Sequence, residues 1–186
     1  MTMRRRNLLL LLGLLPVTGR AADAPPKARS FSDATFTIHL PEGYLGPVEH
    51  VAGSSVSRGF RKPLPSSNLN TVILISVHDM GASFAKRVAS ERTELTREML
   101  EPVVAGIEKN RTGFRKSQPD AITISGHQGL RVAWSGSAQG VAFEGVVYCV
   151  LAGSRAYAVQ VQDPSGLGNA RFLEALRAVE KMRIAR

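Results

Sequence analysis

Four histidines, one cysteine and a repeated Gly-Phe-Arg-Lys tetrapeptide are the residues whose chemistry could define a site in this chain. His39, His50, His78 and His127 stand singly, with no H-x-x-x-H pair and no cysteine beside them. Zinc requires clustered nitrogen and sulfur ligands, so the pattern offers no metal centre. His78 and Asp79 are adjacent and could act as a base with its orienting carboxylate. No nucleophile motif accompanies them, and an ordinary strand end is the expected role. Serine is frequent, yet no G-x-S-x-G elbow occurs. Cys149 lies in the apolar run Val146-Val-Tyr-Cys-Val-Leu151 and is expected to be a small buried hydrophobe. As the only cysteine it has no partner for an intramolecular disulfide, and no neighbouring group lowers its pKa to make a nucleophile. Gly166-Leu-Gly168 precedes a helix but lacks the third glycine of a phosphate cradle. The sequence therefore assigns no catalytic residue, no metal and no cofactor.

The repeated tetrapeptide is the one constellation left. Arg58-Gly-Phe-Arg-Lys62 and Arg111-Thr-Gly-Phe-Arg-Lys116 both place bases around a phenylalanine where a strand meets a loop. If the two segments lie together, Arg58, Arg61, Lys62, Arg111, Arg115 and Lys116 form one anion-binding patch, because guanidinium groups match carboxylate and phosphate geometry. The competing reading is two solvated strand ends whose phenylalanines belong to the core.

The elements that must position these residues are legible from periodicity. Thr35–Leu40 alternates, placing Phe36, Ile38 and Leu40 on one face. A short strand is expected near Ser55–Arg61. Thr71–Val77 is apolar on both faces and reads as a central strand between two layers. The period then changes. Phe84, Val88, Leu95, Met99, Val103 and Ile107 form one stripe of a long helix from Ser83, its expected N-cap, to about Asn110. Pro102 is expected to kink it. Ala121–Ser125, Leu130–Ser135, Val141–Leu151 and Arg155–Gln162 follow, joined by short glycine-containing turns. Such connections make an antiparallel meander. Trp134 is expected in the core with Leu130 and Val132. A helix capped by Asn169, with Phe172, Leu173, Leu176 and Val179 inward, closes the chain. The fold class is α+β, an antiparallel sheet packed with a long kinked helix and a C-terminal helix.

The N-terminus carries a different message. Arg4-Arg5-Arg6, the apolar run Leu8–Leu15, Pro16 and the small residues up to Ala22 have the three regions of a secretory signal. The run is too short for a membrane span, which needs about 20 apolar residues. Cleavage is expected between Ala21 and Ala22. Arg5-Arg6 also faintly matches a twin-arginine signal, although the strongly apolar run favours the general export route. No cysteine near the junction allows a lipid anchor. The expected organisation is a signal over 1–21, a flexible tether over 22–30 with two adjacent prolines, and a single domain over 31–184. Four of the 24 basic residues and none of the 15 acids fall within the signal, which leaves 20 against 15 and a net charge of +5. That charge suits anionic lipid, polyanionic polysaccharide or an acidic partner. It is too sparse for a nucleic-acid binder.

Three stretches resemble the PsbP-like fold and, within it, the small exported bacterial domains called DcrB-like. They are Phe36-Thr-Ile-His-Leu-Pro-Glu-Gly-Tyr44, the long helix after a hydrophobic third strand, and the closing meander through Tyr148 and Tyr157 to a helix with Phe172. The resemblance implies a PsbP-like sandwich and an accessory or assembly role. The bacterial relatives it brings in are lipoproteins, and the missing lipobox departs from them. The combined expectation is a non-enzymatic accessory or binding module, periplasmic or secreted, with an envelope protein or anionic ligand as partner. The alternatives are a small-ligand carrier or hydrolase using a helix–sheet pocket, and a structural subunit docking on an envelope complex.

Overall fold

Alternating apolar residues build the first ladder of this protein. The computed structural model describes residues 26–65, 67–166 and 169–185. The signal, its Ala21–Ala22 junction and the first residues of the tether lie outside them. β1 (Arg29–Ser32) and β2 (Phe36–Leu40) form an antiparallel hairpin, joined on the far side of β2 by β11 (Arg183–Ile184). The turn is made by Asp33, whose carboxylate accepts the Thr35 and Phe36 N–H groups at 2.6 and 3.0 Å and the Thr35 hydroxyl at 2.7 Å. β1 begins inside the segment expected to be a tether. Its pairing is carried by backbone bonds to β2, which need no apolar pattern.

The main sheet has eight strands: β3 (Leu45–Ala52), β4 (Ser55–Pro63), β5 (Asn70–Asp79), β6 (Thr112–Lys116), β7 (Asp120–Ile124), β8 (His127–Ala138), β9 (Val141–Ala152) and β10 (Arg155–Pro164). Their order is β3-β4-β5-β10-β9-β8-β6, with β7 also pairing β8, and every pair is antiparallel. β3 is absent from the sequence reading, and β6, whose residues are expected there only at a junction of strand and loop, is a full edge strand. Both are exposed edge strands without clear alternation.

α1 (Ala82–Glu108) covers β8, β9 and β10 on one face of this sheet, and α2 (Ala170–Glu180) with the small sheet covers the other. β9 is buried on both sides, with Val147, Cys149 and Leu151 toward α1 and Val146, Tyr148 and Val150 toward α2. β5 is less central than expected. Ile73 and Ile75 are fully buried, but Val72 and Leu74 on its other face are half-buried because α1 stops short of them. Trp134 is in the core, 4% exposed. Its cross-strand partner is Gly145, because β8 and β9 run on to a two-residue turn at Gln139 (φ 52°) and Gly140 (φ 78°). Two successive positive φ angles give a type I′ turn, which glycine enters without strain. The expected strands, ending at Ser135 and resuming at Val141, leave a longer turn than the one observed.

α1 also departs in detail. Its N-cap is Gly81 with no side-chain cap, so Ser83 lies inside the first turn. The interruption is at Glu91 (φ −125°, ψ 27°), not at Pro102, whose dihedrals remain helical. Pro102 sits on the exposed side of the helix, while Val103, Val104 and Ile107 hold that turn against the sheet. On the solvent side helical bonds already lengthen outward, which accommodates the lost N–H.

Candidate functional site

The six basic residues do not form one patch. β4 and β6 are separated by β5, β10, β9 and β8, which at the usual strand spacing is about 24 Å. The two phenylalanines also point to opposite faces: Phe60 is buried toward α2, whereas Phe114 stacks on Trp134 toward α1 at 6.2 Å. Arg58 is an internal clamp, with Nε 2.9 Å from Asp33 Oδ2, Nη2 3.1 Å from Glu49 Oε2, and its guanidinium over Phe31 and Phe36. Burial alone raises the Asp33 pKa. The Thr35 hydroxyl, the Thr35 and Phe36 N–H groups and the Arg58 charge more than offset that, and the net shift is downward. Lys62 pairs with Glu174 of α2 at 2.9 Å. Arg61 projects from the other face of β4, half-buried beside Val72. Arg111 lies between Trp134 (5.4 Å) and Phe143 (5.3 Å) and donates to Gln162 Oε1 at 3.1 Å. Only Arg115 and Lys116, on the edge strand β6, are exposed bases. Ion pairs and aromatic packing occupy Arg58, Lys62 and Arg111, and strand register turns Arg61 to the other face, a property that charge pattern does not reveal.

The other reactive residues are also placed. His78 Nδ1 is 2.6 Å from Ser55 Oγ, and Asp79 turns away to accept the Gly81 N–H at 3.0 Å. Burial lowers the His78 pKa. Cys149 is 1% exposed, and burial pushes its thiol up to about 12. A thiol held protonated at neutral pH is unreactive. Among the described residues, no three of His, Cys, Asp and Glu come together as a metal cluster. Asn169 is the N-cap of α2 without a side-chain bond to it, and Leu167 and Gly168 of the glycine segment lie outside the described residues.

A recess lies elsewhere, a cleft of about 390 Å³ between α1 and the β7–β8 hairpin. Register places Ala121 beside Leu130 and Thr123 beside Gln128 on the face toward α1, and these make the floor. Arg92, Thr93 and Thr96 form the roof, immediately after the interruption at Glu91. Arg92 donates through Nη1 to the Leu151 carbonyl at 2.6 Å, and Thr96 donates to the Arg92 carbonyl at 2.7 Å. This site is missing from the sequence reading, which gives Arg92 no role. The overlooked signal is that no Asp or Glu stands three or four positions from Arg92 on either side.

No family model matches the chain. No curated protein matches it either. Solved structures do. LpqN, described as involved in cell envelope biogenesis of Mycobacterium tuberculosis, superposes with a TM-score of 0.53 at 15% identity, over 88% of this chain and 90% of LpqN. The cyanobacterial PsbP protein CyanoP from Synechocystis gives a TM-score of 0.59 at 10% identity, over 92% and 99% of the two chains. A Bacteroides thetaiotaomicron protein gives 0.51 at 13% identity, and this chain spans 49% of its length. The α+β architecture of this protein is thus a PsbP-like fold.

Proposed function

We infer that the protein is exported and serves as a non-enzymatic accessory or binding module of the periplasm or cell envelope. The observation that carries this reading is a leader-like N-terminus joined to a domain with the fold of an envelope-biogenesis protein. Two further features support it. The best candidate nucleophile, Cys149, is buried and protonated, and among the described residues no carboxylate is bonded to the Ser55–His78 pair. No described helix is long and apolar enough to cross a membrane. The test is fractionation of the native host with N-terminal sequencing. A mature chain beginning at Ala22 in the periplasmic or envelope fraction is expected, and full-length protein recovered from the cytoplasm overturns the reading. Affinity purification from the envelope fraction then identifies the partner. A second reading, a small-ligand carrier, is favoured by the cleft under α1, whose volume falls within the range of small-molecule sites.

A further inference from the structure

Arg92 is a cation without a counter-charge. It makes no ion pair among the described residues. Its half-buried guanidinium spends one N–H on the Leu151 carbonyl. Its neighbour along the helix, Glu91, is bound to Arg87 at 2.9 Å, and Asp120 of β7 approaches Arg131 at 3.8 Å. The Arg92 field is felt at His127, whose pKa is lowered first by burial and then by that charge. The remaining N–H groups of Arg92 are not among the buried donors left without a partner, so they are open to the cleft, where an anion can accept them in charge-assisted bonds. Around it the cleft presents the hydroxyls of Thr93 and Thr123 and the amide of Gln128, all exposed, over the small apolar floor of Ala121 and Leu130.

We propose that the cleft between α1 and the β7–β8 hairpin binds a compact hydroxylated oxyanion, a sugar acid or sugar phosphate, with Arg92 gripping the carboxylate or phosphate. The guanidinium fork supplies bidentate recognition of either group. The threonine hydroxyls and Gln128 have the donor and acceptor sets that sugar hydroxyls require. The volume of about 390 Å³ admits one hexose-sized molecule. The interruption at Glu91 frees the helix from its regular path where Arg92 and Thr93 enter the roof.

The inference rests on the carrier reading and is independent of export: a cytoplasmic location leaves it intact, and its failure leaves location untouched. The test is titration of the purified chain with glucuronate, glucose 6-phosphate, neutral glucose and inorganic phosphate at millimolar concentration, followed by backbone amide chemical shifts. Glucuronate or glucose 6-phosphate is expected to move the amides of Thr93, Thr123 and Gln128, and the stronger of the two identifies the oxyanion. Arg92→Gln is expected to weaken that binding about tenfold or more. Should Arg92→Gln fail to fold after losing its bond to Leu151, Gln128→Ala at the exposed rim must weaken binding, and the wild-type affinity must fall as salt rises. No response to either acid, equal response to glucose, equal response to inorganic phosphate, shifts confined to another region, or unchanged affinity in folded Arg92→Gln each overturns the proposal.

Discussion

The indole of Trp134 lies directly on the backbone of Gly145, so close that a Cβ at position 145 would fall 2.4 Å from Cε2 and 2.6 Å from Nε1 of the ring. The two residues are cross-strand partners in β8 and β9. The missing side chain of one is the space occupied by the other.

Gly145→Ala is therefore expected to destabilise the fold by about 1–3 kcal/mol, because the indole or the strand must shift. Trp134→Ala should cost about 3–5 kcal/mol by emptying the same site. Urea denaturation of both variants checks this. A Gly145→Ala change below about 0.5 kcal/mol would show that the indole does not rest there.

The repeated tetrapeptides make opposite predictions for bases that look alike in sequence. Arg111→Ala should cost about 2 kcal/mol, through loss of two aromatic contacts and the bond to Gln162. Arg115→Ala, on the exposed edge, should stay within about 0.5 kcal/mol. Equal effects in thermal unfolding would contradict this division of roles.

Cys149 should resist alkylation by iodoacetamide in the folded chain and react only on unfolding, because its thiol is both inaccessible and held protonated by burial. Cys149→Ser should fold with modest loss of stability, since a hydroxyl replaces the thiol in a dry site. Rapid labelling of native protein is the result that rejects this picture.

The histidines set a pH response. Burial lowers the pKa of His78, and burial followed by the Arg92 charge lowers that of His127. The unfolded chain then binds protons at a higher pH than the folded one, so their contribution to stability is present above about pH 6.5 and is lost as pH falls below it. Asp163 works the other way at the acid end, because its carboxyl is raised, chiefly by burial. The informative measurement is thus a comparison. His78→Gln should show a shallower loss of stability than wild type between pH 6.5 and 5 in denaturant titrations, and parallel curves would exclude the histidine.

Much of the architecture is legible in the sequence because it depends on repeating apolar residues. The alternation at Phe36, Ile38 and Leu40, the helical stripe from Phe84 to Ile107 and the meander after Ala121 all appear where periodicity places them. What escapes is whatever periodicity does not encode. β1 and β3 are held by backbone bonds along exposed strands. The site is less legible still. Arg58 and Arg61 are three residues apart, but the pleat sends one to a buried clamp on Asp33 and the other to the opposite face. Arg92 acquires its meaning from Thr123 and Gln128, which are brought beneath it only when the β7–β8 hairpin packs under the helix.

One edge of the main sheet is discontinuous. β8 is twelve residues long, and its outer side is shared by two five-residue strands, β7 against its first part and β6 against its last. A strand from a second copy approaching that side meets two short, offset rows of backbone groups rather than one long template. The opposite edge is the eight-residue β3, longer and with Val48 and Val51 exposed. The divided edge is thus a poorer template for strand addition than β3, so the β7–β8 hairpin that floors the cleft beneath α1 also blunts one edge of a strand-rich sheet.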